Sequence, residues 1–159
     1  TLPLPAELDF LLILDGIRDP GNLGTILRTA AAARIQAVLL APGNVDAFAP
    51  KVLRAGMGAH FRLPIHQLGW AHIEQLLAGS PGGMRIYLAD AAGGIPYTRA
   101  DFRTPLALLV GGEAAGAGHE AFSLASEKVQ IPMPGGSESL NAGIAAGILL
   151  FEVVRQRGM

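Results

Sequence analysis

The run from Ile131 to Arg157, IPMPGGSESLNAGIAAGILLFEVVRQR, constrains this chain more than any other stretch. A short apolar strand, Val129 to Ile131, leads into Pro132, Pro134, Gly135 and Gly136. The backbone there is stiff at the prolines and free at the glycines. Ser137, Glu138, Ser139 and Asn141 then crowd the mouth of a helix rich in Ala, Gly and Ile. Strand, tight polar loop and helix start make a ligand site in many α/β proteins, because unpaired N–H groups point out of the helix N-terminus. The helix gathers its charges at Glu152, Arg155 and Arg157, so it is expected to be buried on most sides. It is expected to wall both a ligand pocket and a subunit interface.

The rest of the chain repeats the alternation of strand and helix. Phe10–Leu14, Ala37–Leu40, Met84–Ala89 and Leu106–Val110 are short apolar runs of the kind that become buried strands. Phe61–Ile65 is a weaker candidate, interrupted by Pro64 and so suited to an edge. Helical patterns cover about 23–34, 51–57 and 70–77, with a short one near Glu120, and Gly93, Gly94 and Pro96 make a loop. The alternation predicts an α/β fold, a parallel sheet with helices on both faces.

Length and composition exclude several classes. A chain of 159 residues suits one domain with a sizeable core. Half of it is hydrophobic, which is a globular composition. No apolar run is long enough to span a bilayer, and no signal peptide is visible, so no membrane partner is expected and the cytoplasm is the default location. Cysteine is absent, which removes disulfides and thiolate metal sites. The four histidines, His60, His66, His72 and His119, have no ligand spacing, so no metal is expected. A net charge of −1 argues against tight nonspecific nucleic-acid binding, without excluding a local basic patch. The Pro-containing opening, LPLP, reads as the tail of a linker.

Three segments each follow a strand, where open α/β sheets bind ligands. They are Asp19–Thr29, the glycine loop Gly111–Gly118, and the stretch from Ile131. The glycine loop lacks the dinucleotide fingerprint, and Ala117 and Gly118 stand where a phosphate-binding loop needs Lys and Ser/Thr. Taken alone it could be a flexible turn, although it carries the carboxylate of Glu113. Arg28, on a mostly apolar helix, could simply snorkel or pair. Asn22 could be the N-cap of its helix, and Ser137 or Ser139 the cap of the last one.

Together the three segments resemble the SpoU branch of the SPOUT superfamily, the S-adenosylmethionine-dependent RNA ribose 2′-O-methyltransferases. The first motif is Asp19-Pro20-Gly21-Asn22-Leu23-Gly24 with Arg28-Thr29. The second is Val110-Gly111-Gly112-Glu113 with Gly116. The third is Ile131-Pro132-Met133 followed by Glu138-Ser139-Leu140-Asn141. The resemblance covers nearly the whole chain and keeps the family's motif order. It departs near Gly56 and at Gly143, where relatives often carry serine.

The resemblance implies a C-terminal trefoil knot and a homodimer. It implies S-adenosylmethionine held by Gly111, Gly112, Ile131, Met133, Ser139 and Leu140. Asn22, Arg28, Glu113, Ser139 and Asn141 would line the methyl-transfer site, with no metal. The implied substrate is ribosomal RNA, with transfer RNA as the second choice. An N-terminal RNA-binding domain is expected to precede residues 1–159. The rival expectation is a non-catalytic RNA-binding or dimerisation module of the same fold. Arg28 is expected to hold a phosphate or stabilise an alkoxide, because a guanidinium almost never gives up its proton.

Overall fold

Every strand pairing in the computed structural model, which describes residues 1–112 and 116–159, is parallel. Seven strands form one sheet in the order β3-β2-β1-β6-β4-β7-β5. Central β1 (Phe10–Asp15) and β6 (Leu106–Gly111) are continuous apolar runs because both of their faces are covered. Phe10, Leu12 and Leu14 face one core cluster, and Leu11 and Ile13 face the other. On the first face lie α1 (Pro20–Ala32), α2 (Pro50–Gly56) and α5 (Ala142–Arg157), which contribute Leu27, Val52 and Leu149 among others. On the second lie α3 (Trp70–Ala78) and α4 (His119–Leu124), through Ile73, Leu77 and Ala121.

The strand order folds back on itself near the C-terminus. β4 (Arg85–Ala89) precedes β6 and β7 (Glu127–Gln130) in the chain but sits between them. From β4 the chain reaches β5 (Ile95–Pro96) at the far edge, turns through a 3-10 segment at Tyr97–Arg99, returns to β6, and crosses β4 again to reach β7. Helix α5 then comes back across the first face to pack on α1 and β6.

Some expected boundaries move. Residues 59–61 form a 3-10 turn, and the third strand begins later, at Ile65–Gln67. Pro64 lacks the N–H a ladder needs, so pairing starts after it, at the sheet edge as expected. The expected glycine loop at 93–96 hides the two-residue β5. β7 lies two residues upstream of the expected start at Val129, with Glu127 and Lys128 on a half-covered strand that reads as polar. Helix α5 is less enclosed than its composition suggests: Ile144 and Phe151 are 57% and 47% exposed.

The last turn of α5 is pinned to the start of the chain. Arg157 Nη1 meets Asp9 Oδ2 at 2.6 Å, across 148 residues of sequence. The same guanidinium donates to Phe102 O at 2.8 Å and Thr104 O at 2.9 Å and lies 5.3 Å from the centre of the Phe10 ring. One turn earlier, the buried Glu152 accepts from Arg155 and Gln156. The Arg155 hydrogen bond holds the Glu152 carboxyl below the usual carboxylate range. Its contribution to stability is whole above the ordinary carboxylate pKa and is lost as pH falls through the lowered value. Arg157→Ala strands two backbone carbonyls and is expected to cost about 2 kcal/mol in urea unfolding. Melting should fall by about 6 °C. An unchanged midpoint would show that Arg157 does not hold the helix end.

Candidate active site

The carboxyl ends of β1 and β6 are tied together by one residue, Asp15. Its backbone carbonyl accepts from Gly112 N at 2.9 Å, and its carboxylate accepts from Gly118 N at 2.7 Å. The glycine loop is thus clamped at both ends, and Gly116 N donates across it to Gly112 O at 2.8 Å. A Cβ on Gly112 would drive into Gly16 O, and one on Gly111 into Ala117 N, so only glycine lets these turns approach so closely.

A first cavity, of about 120 Å³, opens against this loop. Gly111, Gly112, Ile131, Met133 and Leu140 all line it, so five of the six residues expected to hold a cofactor meet in one place. Val110 and Val129 add apolar surface, and Asp90, at the end of β4, supplies a carboxylate. Ser139 is exposed on the segment between β7 and α5 and is not among the lining residues.

A second cavity, of about 430 Å³, shares Gly112, Gly116 and Ala142 with the first. Asp15, Arg18, Asp19 and Asn22 bring polar groups to it. Here the helix caps differ from the plainest expectation. The N-cap of α1 is Asp19, which accepts from Asn22 N at 2.8 Å, so Asn22 sits inside the first turn. The N-cap of α5 is Asn141, not Ser137 or Ser139; its Oδ1 accepts from Gly143 N at 2.8 Å and Ile144 N at 3.2 Å. With one end of its amide spent on the cap, Asn141 uses the other to donate to Asn22 Oδ1 at 3.0 Å. The first and third motifs therefore meet, through residues 119 apart in sequence.

Arg28 lies on the exposed face of α1 and lines neither cavity. Glu113 lies outside the described residues. Among the described residues no cluster of His, Cys, Asp or Glu could hold a metal ion, and no helix is long and apolar enough to cross a membrane. His60 is buried and donates from Nε2 to Ala47 O, consistent with a packing role. Sequence reasoning missed Asp15, Arg18 and Asp90 as site residues. A charged residue ending an apolar strand was the available signal for Asp15 and Asp90.

Fold and site together define an α/β domain whose ligand cleft lies over the carboxyl ends of parallel strands, between a glycine loop and the start of the last helix. The sequence matches the model of the SpoU rRNA Methylase family over residues 9–151, and the chain belongs to that family. It is 37% identical to the human mitochondrial rRNA methyltransferase 3, covering 96% of this chain and 48% of the human protein. It is 36% identical to the 23S rRNA (guanosine(2553)-2′-O)-methyltransferase RlmP of Bacillus subtilis, over 90% of this chain and 57% of that protein. The crystal structure of an AdoMet-bound rRNA methyltransferase from Sinorhizobium meliloti superposes with a TM-score of 0.87 at 36% identity, over 96% of this chain and 58% of that one. The chain spans about half the length of the curated relatives it matches.

Proposed function

We propose that this chain is the catalytic domain of an S-adenosylmethionine-dependent RNA methyltransferase that modifies a ribose 2′-hydroxyl, of ribosomal RNA first and transfer RNA second. One observation carries the reading: the three motifs converge on two cavities that share a glycine wall. The first cavity suits the methyl donor. Val110, Val129, Ile131, Met133 and Leu140 offer apolar surface to a flat base and the carbon chain beside the sulfonium, and Asp90 offers a carboxylate to hydroxyls or positive charge. The relative from Sinorhizobium meliloti is described as AdoMet-bound, which supports the same assignment.

When bound, S-adenosylmethionine supplies an electrophilic methyl group on a sulfonium. The chain's own residues supply position and charge. Asn22 and Asn141 form a paired amide wall beside the second cavity, where the acceptor ribose is held. Asp15 holds Gly112 and Gly118, the two described ends of the glycine loop, at the boundary between donor and acceptor. Arg28, on the outer face of α1, takes a neighbouring phosphate rather than a proton, since the guanidinium stays charged. The family motif assigns Ser139 to the donor side and Glu113, which lies outside the described residues, to the ribose. Calorimetry with S-adenosylmethionine, followed by mapping of ribose methylation in RNA from cells lacking the gene, tests the reading. A chain that binds neither the donor nor its demethylated product is a non-catalytic module.

Four further points belong to the same proposal. The interleaved order β6-β4-β7, with the last helix returning to the 97–104 segment, supports a trefoil-knotted path. The domain works in the cytoplasm, and an RNA-binding domain precedes it. It also works as a homodimer. Thr25 and Thr29 of α1 and Gly143, Ile144, Gly147 and Phe151 of α5 line an open groove, with small residues for close approach and exposed apolar ones to bury. Ile144→Glu is expected to convert a dimer to a monomer in sedimentation while the melting temperature of the subunit changes little. A monomeric mass for the unaltered chain removes the dimer.

A further inference from the structure

Charge is unevenly placed along this chain. Residues 20–73 carry five arginines and lysines, Arg28, Arg34, Lys51, Arg54 and Arg62, against one acid, Asp46. The remaining residues carry seven basic side chains and twelve acidic ones. Among the described residues, none of those five cations forms an ion pair, whereas four of the other seven, Arg85, Arg103, Arg155 and Arg157, do. Unpaired cations that outnumber the acids five to one in this span suit a polyanion.

The same surface displays an aromatic ring that the fold does not use. Phe61 is 85% exposed and Met57 64% exposed. The backbone holds Phe61 out by construction. Met57 and Gly58 both take left-handed angles, φ 50° and 84°, which end α2 and turn the chain into the 3-10 segment at Ala59–Phe61. That segment is anchored from beneath: Ala59 is fully buried, and His60 donates to Ala47 O at 2.7 Å and packs edge-on against Phe48 at 5.4 Å. Lys51, Arg54 and Arg62 are exposed on the same short span, and α2 packs directly on α1, the helix that carries Asn22 and Arg28.

We infer that Phe61 is a stacking platform for an unpaired base of single-stranded RNA, with Lys51, Arg54 and Arg62 holding the adjoining phosphates. This rests on the functional reading above and deepens it. The strand leaves the second cavity, passes Arg28, and lays a base flanking the target nucleotide on the Phe61 ring. Aromatic stacking accepts any base face, so the contact positions the strand and the cavity selects the nucleotide.

The test uses a short single-stranded oligoribonucleotide carrying 2-aminopurine, together with S-adenosylmethionine. Phe61→Ala is expected to weaken RNA binding about tenfold and raise KM for RNA by the same factor. Its kcat at saturation and its S-adenosylmethionine affinity should match the unaltered chain. Phe61→Trp should restore binding and quench the 2-aminopurine. Replacing Lys51, Arg54 and Arg62 together by alanine should flatten the log–log salt dependence of binding by about 2. If the unaltered chain binds donor and RNA and Phe61→Ala leaves RNA affinity unchanged, the inference fails alone. If Phe61→Ala alters the mass in solution instead, the surface is a contact between copies and the inference also fails. A chain that binds neither ligand removes the functional reading, and this inference with it.

Discussion

Asn141→Ala is expected to lower single-turnover methyl transfer by about 100-fold or more, the usual cost of one oriented donor at a reacting centre. The side chain does two separable jobs. Its oxygen caps α5 through Gly143 N and Ile144 N, and its amide nitrogen holds Asn22. Loss of the cap alone costs about 1 kcal/mol of stability. Asn141→Ser separates the two roles, because serine caps a helix about as well as asparagine but is too short to reach Asn22. The serine variant should melt within a degree or two of the unaltered chain and still lose most of its activity. Full activity in that variant would show that the Asn22 contact is only part of the scaffold.

Gly112→Ala is expected to weaken S-adenosylmethionine binding about 30-fold or more. The added methyl collides with Gly16 O, so the exits of β1 and β6 must move apart. Overpacking of this kind costs about 1–3 kcal/mol. The break also loosens the 2.9 Å bond from Gly112 N to Asp15 O, and Gly112 lines both cavities. Calorimetry well below the melting range, with melting followed in parallel, separates a damaged site from an unfolded chain. A binding constant unchanged by the methyl group would mean that the shared glycine wall does not contact the donor.

The central strands were legible because burial on both faces leaves an unmistakable apolar run at Phe10–Leu14 and Leu106–Val110. Edge elements were not. β5 is two residues long and includes Pro96, and residues 59–61 are held by turns that periodicity cannot register. Five residues of the first cavity were legible through motif order, since each follows a strand whose carboxyl end faces the same way. The pairing of Asn22 with Asn141 was not, because nothing in local spacing announces a contact across 119 residues. Asp15 escaped notice for a related reason. Its role appears only when the glycine loop arrives from the other half of the chain. The return of the chain past β4 is likewise a property of the path and leaves no trace in the period of any strand.

The bond from Arg157 back to Asp9 has a consequence for the order of events during synthesis. β1 is made well before α5, and the Arg157 bond can help seat that helix only once its last turn has been translated. Contacts this distant in sequence slow folding, and a nascent chain waits on them with apolar surface uncovered. The Asn141–Asn22 wall belongs to that same later helix, so the cleft stays incomplete until α5 is made. A domain made only as far as β7 therefore lacks one wall of its cleft.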